Sequence, residues 1–168
     1  MIHADLQKAI NHQINQEFTA AYNYLGMATY FDSENLDGFA NWMNKQHDEE
    51  NGHAMKLLRY LQDRGGRVIL ETINNPRSEF SSPLEVFQLS LQQEQKNTQS
   101  INELYEKATQ LNDHATKSHL QWFIDEQVEE EKSVEDVIAL LERVGSDTAG
   151  LLYLDDKLAG RTAETVPM

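Results

Sequence analysis

The sequence contains no cysteine, which excludes disulfides, thiolate zinc sites, Cys-ligated clusters and thiol catalysis. Basic residues are also scarce, since 14 Lys and Arg stand against 28 Asp and Glu and give a net charge of −14. The phosphates of nucleic acid would repel such a chain, and it has no basic tail to compensate. We therefore expect cations as partners, and no nucleic acid.

Long apolar segments are missing as well. No uncharged apolar run approaches the roughly 18 residues that a membrane-spanning helix needs, and the first residues show neither the basic nor the apolar region of a signal peptide. The 168 residues are 39% hydrophobic and 25% charged, a composition typical of a soluble globular protein. We expect a single domain covering residues 1–168, no membrane association and a cytoplasmic location.

What the sequence does contain is helical periodicity. Inward positions recur at alternating spacings of four and three residues along four long segments, as in Ile10, Ile14, Glu17 and Ala21 of the first. A shorter segment near the C-terminus, which Ser146-Asp147 would cap, is predicted to form a fifth helix. The predicted helices cover about 5–32, 36–64, 83–110, 114–144 and 148–158. The tail 160–168 is predicted to be flexible.

The connections between these helices favour a four-helix bundle. The first connection, 32–35, is short and makes helices one and two antiparallel neighbours, and Gly65-Gly66 ends helix two. The connection formed by residues 67–81 is unusually long. We therefore expect it to cross the whole bundle, so that helix three runs parallel to helix two. Ser82-Pro83-Leu84-Glu85 then predicts a capping box. The fold class is therefore all-α.

One polar pattern occurs twice on the inward faces of these helices. Glu17 precedes Glu50 by 33 residues, and Glu94 precedes Gln127 by 33 residues. His53 and Glu130 follow three residues after Glu50 and Gln127, on the same helical face. If the two hairpins pack together, all six side chains point at one location.

Unpaired carboxylates among Ile, Phe and Leu would cost several kcal/mol, or would take up protons, unless a cation neutralises them. Carboxylates with one imidazole suit iron, manganese or zinc, and a bridging Glu suits two metals. We assign Glu17, Glu50 and His53 to the tighter metal, with Glu50 as the bridge. A polar bundle core without metal is the alternative.

The second metal is assigned to Glu50 and Glu94, with Glu130. Gln127 is a poor ligand for iron and is a further candidate there, so we expect this metal to be held less firmly. Weaker binding of the second metal would help product iron to leave the centre.

From about residue 6 to residue 158 the chain resembles the bacterial non-haem ferritins, members of the ferritin-like di-iron carboxylate family. Glu17, Glu50-x-x-His53, Glu94 and Gln127-x-x-Glu130 match the ferroxidase centre of that family. The resemblance implies a cage of 24 subunits that oxidises Fe(II) with O2 and stores ferric mineral inside. It implies two irons at the centre and no haem, because the second Glu-x-x-His of the haem-binding relatives is absent.

The resemblance also implies a third iron site built from Glu49, Glu126 and Glu129, which would share Glu130. An ordinary solvated acidic face is the alternative for these residues. Tyr24 matches a tyrosine beside the family's centre that hydrogen-bonds a ligand or donates an electron, and a buried core tyrosine is its alternative.

Two other functions are weighed against iron storage. A non-storing di-iron redox enzyme of the peroxidase type usually carries a Cys-ligated iron module, which this chain cannot form. A DNA-protecting mini-ferritin places its ligands across a subunit interface and lacks the fifth helix predicted here.

Overall fold

The computed structural model describes residues 2–163 and 166–167, and within them it contains five α-helices and no strand. The helices are α1 (Ala4–Ser33), α2 (Asp37–Asp63), α3 (Pro83–Gln110), α4 (His114–Val144) and α5 (Thr148–Leu158). The predicted all-α class is confirmed. Among the described residues, no helix combines the length and apolarity that a bilayer span requires.

The four long helices form a bundle in which α1 packs along α2, α3 packs along α4, and α1 also contacts α3. Arg64 follows the last turn of α2 and Asp113 is the N-cap of α4, and the two form a bidentate ion pair at 2.8 and 2.9 Å. The end of α2 therefore lies beside the start of α4, which sets α3 parallel to α2, as the long connection predicts.

The connection between α2 and α3 runs along α1 and is held by side-chain amides. Asn11 accepts from the backbone N–H of Ile69 at 2.7 Å and donates to the carbonyl of Arg67 at 2.9 Å. Asn15 accepts from the backbone N–H of Glu71 at 2.8 Å and donates to the carbonyl of Ile69 at 2.9 Å. Each amide therefore supplies both a donor and an acceptor to a backbone that has no secondary structure of its own.

Helix α3 begins as the sequence predicts, with one difference in the hydrogen bonding. Ser82 accepts from the N–H of Glu85 at 3.2 Å, and Pro83 occupies the first helical position. The carboxylate of Glu85 bonds to the N–H of Ser81 at 2.6 Å, one residue before the N-cap. The extended backbone of Ser82 brings that earlier N–H within reach.

The interior consists of two apolar clusters separated by a polar belt. One cluster includes Phe31, Phe39, Phe87 and Val134, and the other includes Leu6, Leu57, Ile101, Leu120 and Phe123. Every long helix contributes to both clusters, and its buried glutamate lies between its two apolar stretches. The belt thus crosses the bundle near the middle of all four helices.

Helix α5 closes the end of the bundle where α2 begins. The N-cap of α2, Leu36, has no side-chain acceptor, and Asp155 of α5 accepts from the N–H of Phe39 at 2.9 Å in its place. Gly38 allows this approach, because a Cβ there would lie 1.7 Å from the carbonyl oxygen of Asp155. The chain that follows α5 therefore starts from a fixed point on α2.

Candidate metal centre

Six polar side chains from all four long helices meet in the belt, and none is more than 5% exposed. They are Glu17 of α1, Glu50 and His53 of α2, Glu94 of α3, and Gln127 and Glu130 of α4. Spacings of three residues keep each pair on α2 and α4 on one helical face. The sequence therefore located the buried polar residues correctly within each helix.

Glu17, Glu50 and His53 form the tightest group. One potential ligand atom of each lies within 4.8 Å of the others, and Nδ1 of His53 is 3.3 Å from Oε2 of Glu50. Both carboxylate oxygens of Glu50 and both ring nitrogens of His53 are buried without a hydrogen-bond partner among the described residues. Four unpaired polar atoms at one point are costly unless a cation binds them.

His53 also belongs to a second group, with Glu126 and Glu130 of α4. Their potential ligand atoms lie within 4.8 Å of one another, and Nε2 of His53 is 3.9 Å from Oε1 of Glu126. Burial lowers the pKa of His53 to about 4, so the imidazole is neutral near pH 7 and offers a lone pair. The ring thus faces Glu50 with one nitrogen and Glu126 with the other.

Glu94 lies outside both of these groups and is held by two neighbours. The hydroxyl of Tyr24 donates to Oε1, and the amide nitrogen of Gln127 lies 3.4 Å from Oε2. Burial raises the pKa of Glu94 to about 7, and the hydrogen bond from Tyr24 opposes that rise. Tyr24 is fully buried, and its hydroxyl contacts a ligand candidate.

Gln127 uses both ends of its amide within the protein. Its nitrogen faces Glu94 and Thr98, and its oxygen accepts from Nδ2 of Asn97 at 3.3 Å. An amide oxygen has two lone pairs, so the hydrogen bond from Asn97 leaves one of them for a metal. Its present contacts suit it to orient the carboxylate of Glu94.

Three buried amides around the ligand candidates were not singled out from the sequence. Gln13 and Asn97 donate to the two oxygens of Glu17 at 2.8 and 3.0 Å, and Gln46 donates to Oε2 of Glu130 at 2.7 Å. Gln13 precedes Glu17, and Gln46 precedes Glu50, by one helical turn. A search for amides one turn from each ligand candidate would have found both.

The electrostatics of the belt favour a bound cation. Burial raises the pKa of Glu17, Glu50 and Glu130, and the charge of Glu94 is the next largest cause for Glu50 and Glu130. Glu17 and Glu50 lie close enough to hydrogen-bond when one of them carries a proton. A divalent cation would displace that proton and remove the repulsion among the carboxylates.

The three residues predicted to form a further iron site are placed differently from one another. Glu126 lies beside His53 and Glu130, as described above. Glu49 is 2% exposed in its side chain and pairs with Arg161 at 2.8 Å. Glu129 is exposed and is part of neither ligand group found among the described residues.

Trp122 packs against the centre without a polar role. Its ring lies edge to face with His53, at 5.4 Å between centroids, and with Phe123 at 4.9 Å. The ammonium of Lys56 lies 4.6 Å above it.

Comparison with known proteins identifies the family. The sequence profile of the ferritin-like domain matches residues 7–144. The chain belongs to the ferritin family. It is 46% identical to the bacterial non-heme ferritin of Staphylococcus epidermidis over 162 residues, which are 96% of this chain and 98% of that one. The bacterial non-heme ferritin of Staphylococcus aureus is 43% identical over the same shares.

Solved ferritin structures superpose closely on this ferritin chain. The open-pore ferritin of the archaeon Archaeoglobus fulgidus has a TM-score of 0.95 at 46% identity, covering 96% of this chain and all of that one. A closed form of the same archaeal ferritin, engineered by mutagenesis, has a TM-score of 0.96 and covers 98% of this chain. The resemblance stated from the sequence is confirmed, and so is the ferritin-like fold.

Proposed function

We propose that this chain is an iron-storage ferritin that oxidises Fe(II) with O2 at the buried centre. The observation that carries the proposal is the set of unpaired atoms on Glu50 and His53, beside Glu17, in the middle of the bundle. Membership of the ferritin family supports iron as the cation. Further proposals are assembly into a hollow cage of 24 subunits, no resident haem, and a cytoplasmic location.

Two Fe(II) ions are the substrates of this reaction. Glu17, Glu50 and His53 would hold the first, and Glu50, Glu94 and Glu130 the second, with Glu50 between them. Tyr24 and Gln127 would orient Glu94, and Gln13 and Asn97 would orient Glu17, as outer partners do at metal sites. Gln127 could also bind the second iron through the second lone pair of its amide oxygen, which already accepts from Asn97.

In the proposed reaction each Fe(II) loses one electron, and O2 takes up both electrons with two protons to give H2O2. The carboxylates favour the products, because their negative charge stabilises Fe(III) more than Fe(II). Binding of the metals releases protons from carboxyl groups whose pKa is raised, and these protons become available at the centre.

Oxidised iron must leave the centre for storage. Glu126 lies beside both His53 and Glu130, and hydrogen bonds through Gln46 and Arg161 connect the Glu130 carboxylate to Glu49. A further proposal is a third iron position formed by Glu49, Glu126 and Glu129, which shares Glu130 with the centre.

Stopped-flow oxidation of anaerobically loaded protein tests the centre. We expect Glu50→Gln, which keeps the shape but removes the bridging charge, to lose rapid oxidation. Glu135→Gln is the matched control, because Glu135 is an exposed residue of α4 away from the belt. Equal rates in the two variants would contradict the assignment of Glu50.

Sedimentation with iron loading tests storage. A particle of about 24 chains, each of 19.3 kDa, that takes up far more than three irons per chain would support it. A dimer or 12-mer that takes up only a few irons would favour a non-storing redox enzyme or a DNA-protecting mini-ferritin instead.

A further inference from the structure

The described residues beyond α5 lie along α2 instead of projecting from the bundle. Nδ2 of Asn41 donates to the carbonyl of Arg161 at 3.1 Å and to that of Ala159 at 3.3 Å. Farther along α2, a Cβ on Gly52 would lie 2.6 Å from Val166, and Lys56 donates to the carbonyl of Pro167. Glu164, Thr165 and Met168, which fall in the tail predicted to be flexible, lie outside the described residues.

Arg161 is the residue of this segment that reaches toward the centre. Its Nη2 donates to Oε2 of Glu49 at 2.8 Å and also to Oε1 of Gln46. Its guanidinium carbon lies 4.2 Å from the centroid of the Trp42 ring. A planar guanidinium can stack on an aromatic ring while it hydrogen-bonds in its own plane, which an ammonium cannot do.

These contacts connect Arg161 to the proposed iron ligands through a single side chain. Gln46 accepts from Arg161 with its oxygen and donates to Oε2 of Glu130 with its nitrogen, at 2.7 Å. The side chain of Arg161 is 19% exposed and that of Glu49 is 2% exposed, so the attraction between their charges is only weakly screened by water.

A divalent cation and this guanidinium cannot share the carboxylate of Glu49 without cost. A metal bound to Glu49 would lie about 2.0–2.2 Å from a carboxylate oxygen. It would therefore lie close to the positively charged guanidinium of Arg161, which bonds to the same carboxylate. Like charges at that range repel strongly in a partly buried site. Binding of either cation to Glu49 therefore weakens binding of the other.

We propose that Arg161 competes with a divalent cation for Glu49, so that the C-terminal segment restrains passage of iron from Glu130 to Glu49. This inference rests on the proposed function, since it takes Glu130 as an iron ligand. Arg161 is thus a positioning residue that acts on iron through Glu49 and Gln46.

Zinc binding tests the inference without any oxidation step. Isothermal titration with Zn(II) alone, on the assembled protein, gives the affinity of each site, and anomalous diffraction at the zinc edge locates it. We expect Arg161→Gln to bind zinc at Glu49 about tenfold more tightly than the unaltered chain, as loss of a charge-assisted competitor implies. Arg161→Lys, which keeps the charge, should bind zinc there less tightly than Arg161→Gln.

Lys157→Gln is the matched control, because it removes one positive charge from the exposed face of α5. We expect it to behave like the unaltered chain. An equal gain in Lys157→Gln, or equal zinc affinity at Glu49 with and without Arg161, would overturn the competition. If zinc failed to bind at Glu17, Glu50 and His53 in every one of these proteins, the proposed function itself would be overturned.

Discussion

The side-chain nitrogen of Gln127 lies 3.4 Å from Oε2 of Glu94, across the interface of α3 and α4. In a symmetric centre with two Glu-x-x-His motifs, a second glutamate would stand at the position of Gln127 and a second histidine at that of Glu130. Burial raises the pKa of Glu94 to about 7, and the hydrogen bond from Gln127 opposes that rise and so favours the charged form. The contact gives the second iron position a well-oriented carboxylate but no second imidazole.

We predict that Gln127→His retains the first oxidation and slows later turnovers by about tenfold, because an added imidazole holds the second iron more firmly. Successive Fe(II) additions in a stopped-flow instrument measure both phases. Gln127→Ala is the control, since it also removes the amide but adds no ligand. Equal slowing in the two variants would show that lost orientation of Glu94, and not tighter binding, is responsible.

Tyr24→Phe should affect oxidation as well as stability. Removing the hydroxyl leaves an oxygen of buried Glu94 without its donor, at a cost of about 1–3 kcal/mol in the free energy of unfolding. We expect slower oxidation, because Glu94 loses its orientation. Chemical denaturation and stopped-flow absorbance provide the two measurements.

Tyr60→Phe serves as the control for Tyr24→Phe. The Tyr60 hydroxyl bonds to Thr116 at 2.7 Å, far along α2 from the belt, and its loss should reduce stability without changing oxidation. If Tyr60→Phe and Tyr24→Phe oxidise iron equally fast, Tyr24 is only a core residue.

Zinc should stabilise the protein more strongly as the pH rises from about 4.5 to about 7. Burial raises the pKa of Glu94 to about 7 and raises that of Glu50 and Glu130. A carboxyl with a raised folded-state pKa contributes stability below pH 4.5, and that contribution is lost as the pH rises through its folded pKa. Zinc binds the charged form and so restores the stability lost over this interval.

The linkage is measured by the zinc-induced shift in Tm at several pH values, and by titration in buffers of different ionisation enthalpy. We expect protons to be released on binding near pH 6. None of them comes from His53, because its pKa is lowered to about 4. A shift in Tm that is independent of pH would contradict the raised carboxyl pKa values.

The ion pair of Arg64 with Asp113 should stabilise the junction of α2, α3 and α4 without touching the centre. Arg64 holds the pKa of Asp113 well below its usual value of 3.8, so this contribution is lost only as the pH falls below that value. We predict that Asp113→Asn, which keeps an N-cap, costs about 1 kcal/mol. Asp113→Ala should cost about 1 kcal/mol more, because it also removes the cap.

Urea denaturation of the two variants separates the cap from the ion pair, and iron oxidation should be unchanged in both. Equal destabilisation by the two substitutions would mean that the Asp113 side chain does not act as a cap in solution.

The sequence predicted the helices and the burial of the ligand candidates well, because both depend on helical periodicity alone. Glu17, Glu50 and His53 each lie on an inward stripe, and residues three or four apart on such a stripe are neighbours in any α-helix. The long connection was predictable for the same reason, since residues 67–81 interrupt the periodicity.

The contacts of amide and basic side chains were not predictable in this way. Nothing in the pattern around Asn97 reveals that it donates to Glu17, because the two residues are 80 positions apart. Asn11 and Asn15 look like ordinary surface residues of α1 until the connecting segment is laid against them. Arg161 likewise gained its contacts through the docking of α5 by Asp155, which no local motif encodes.

The polar belt between the two apolar clusters also fixes how the helices align along the bundle axis. If one helix slid by a single turn, about 5.4 Å, its carboxylate would enter a cluster containing Phe31 and Phe87, or one containing Ile101 and Phe123. Such a buried, unpaired charge is among the most costly defects a fold can contain. The acidic residues thus select one axial register, and in that register polar side chains from four separate helices meet in the belt.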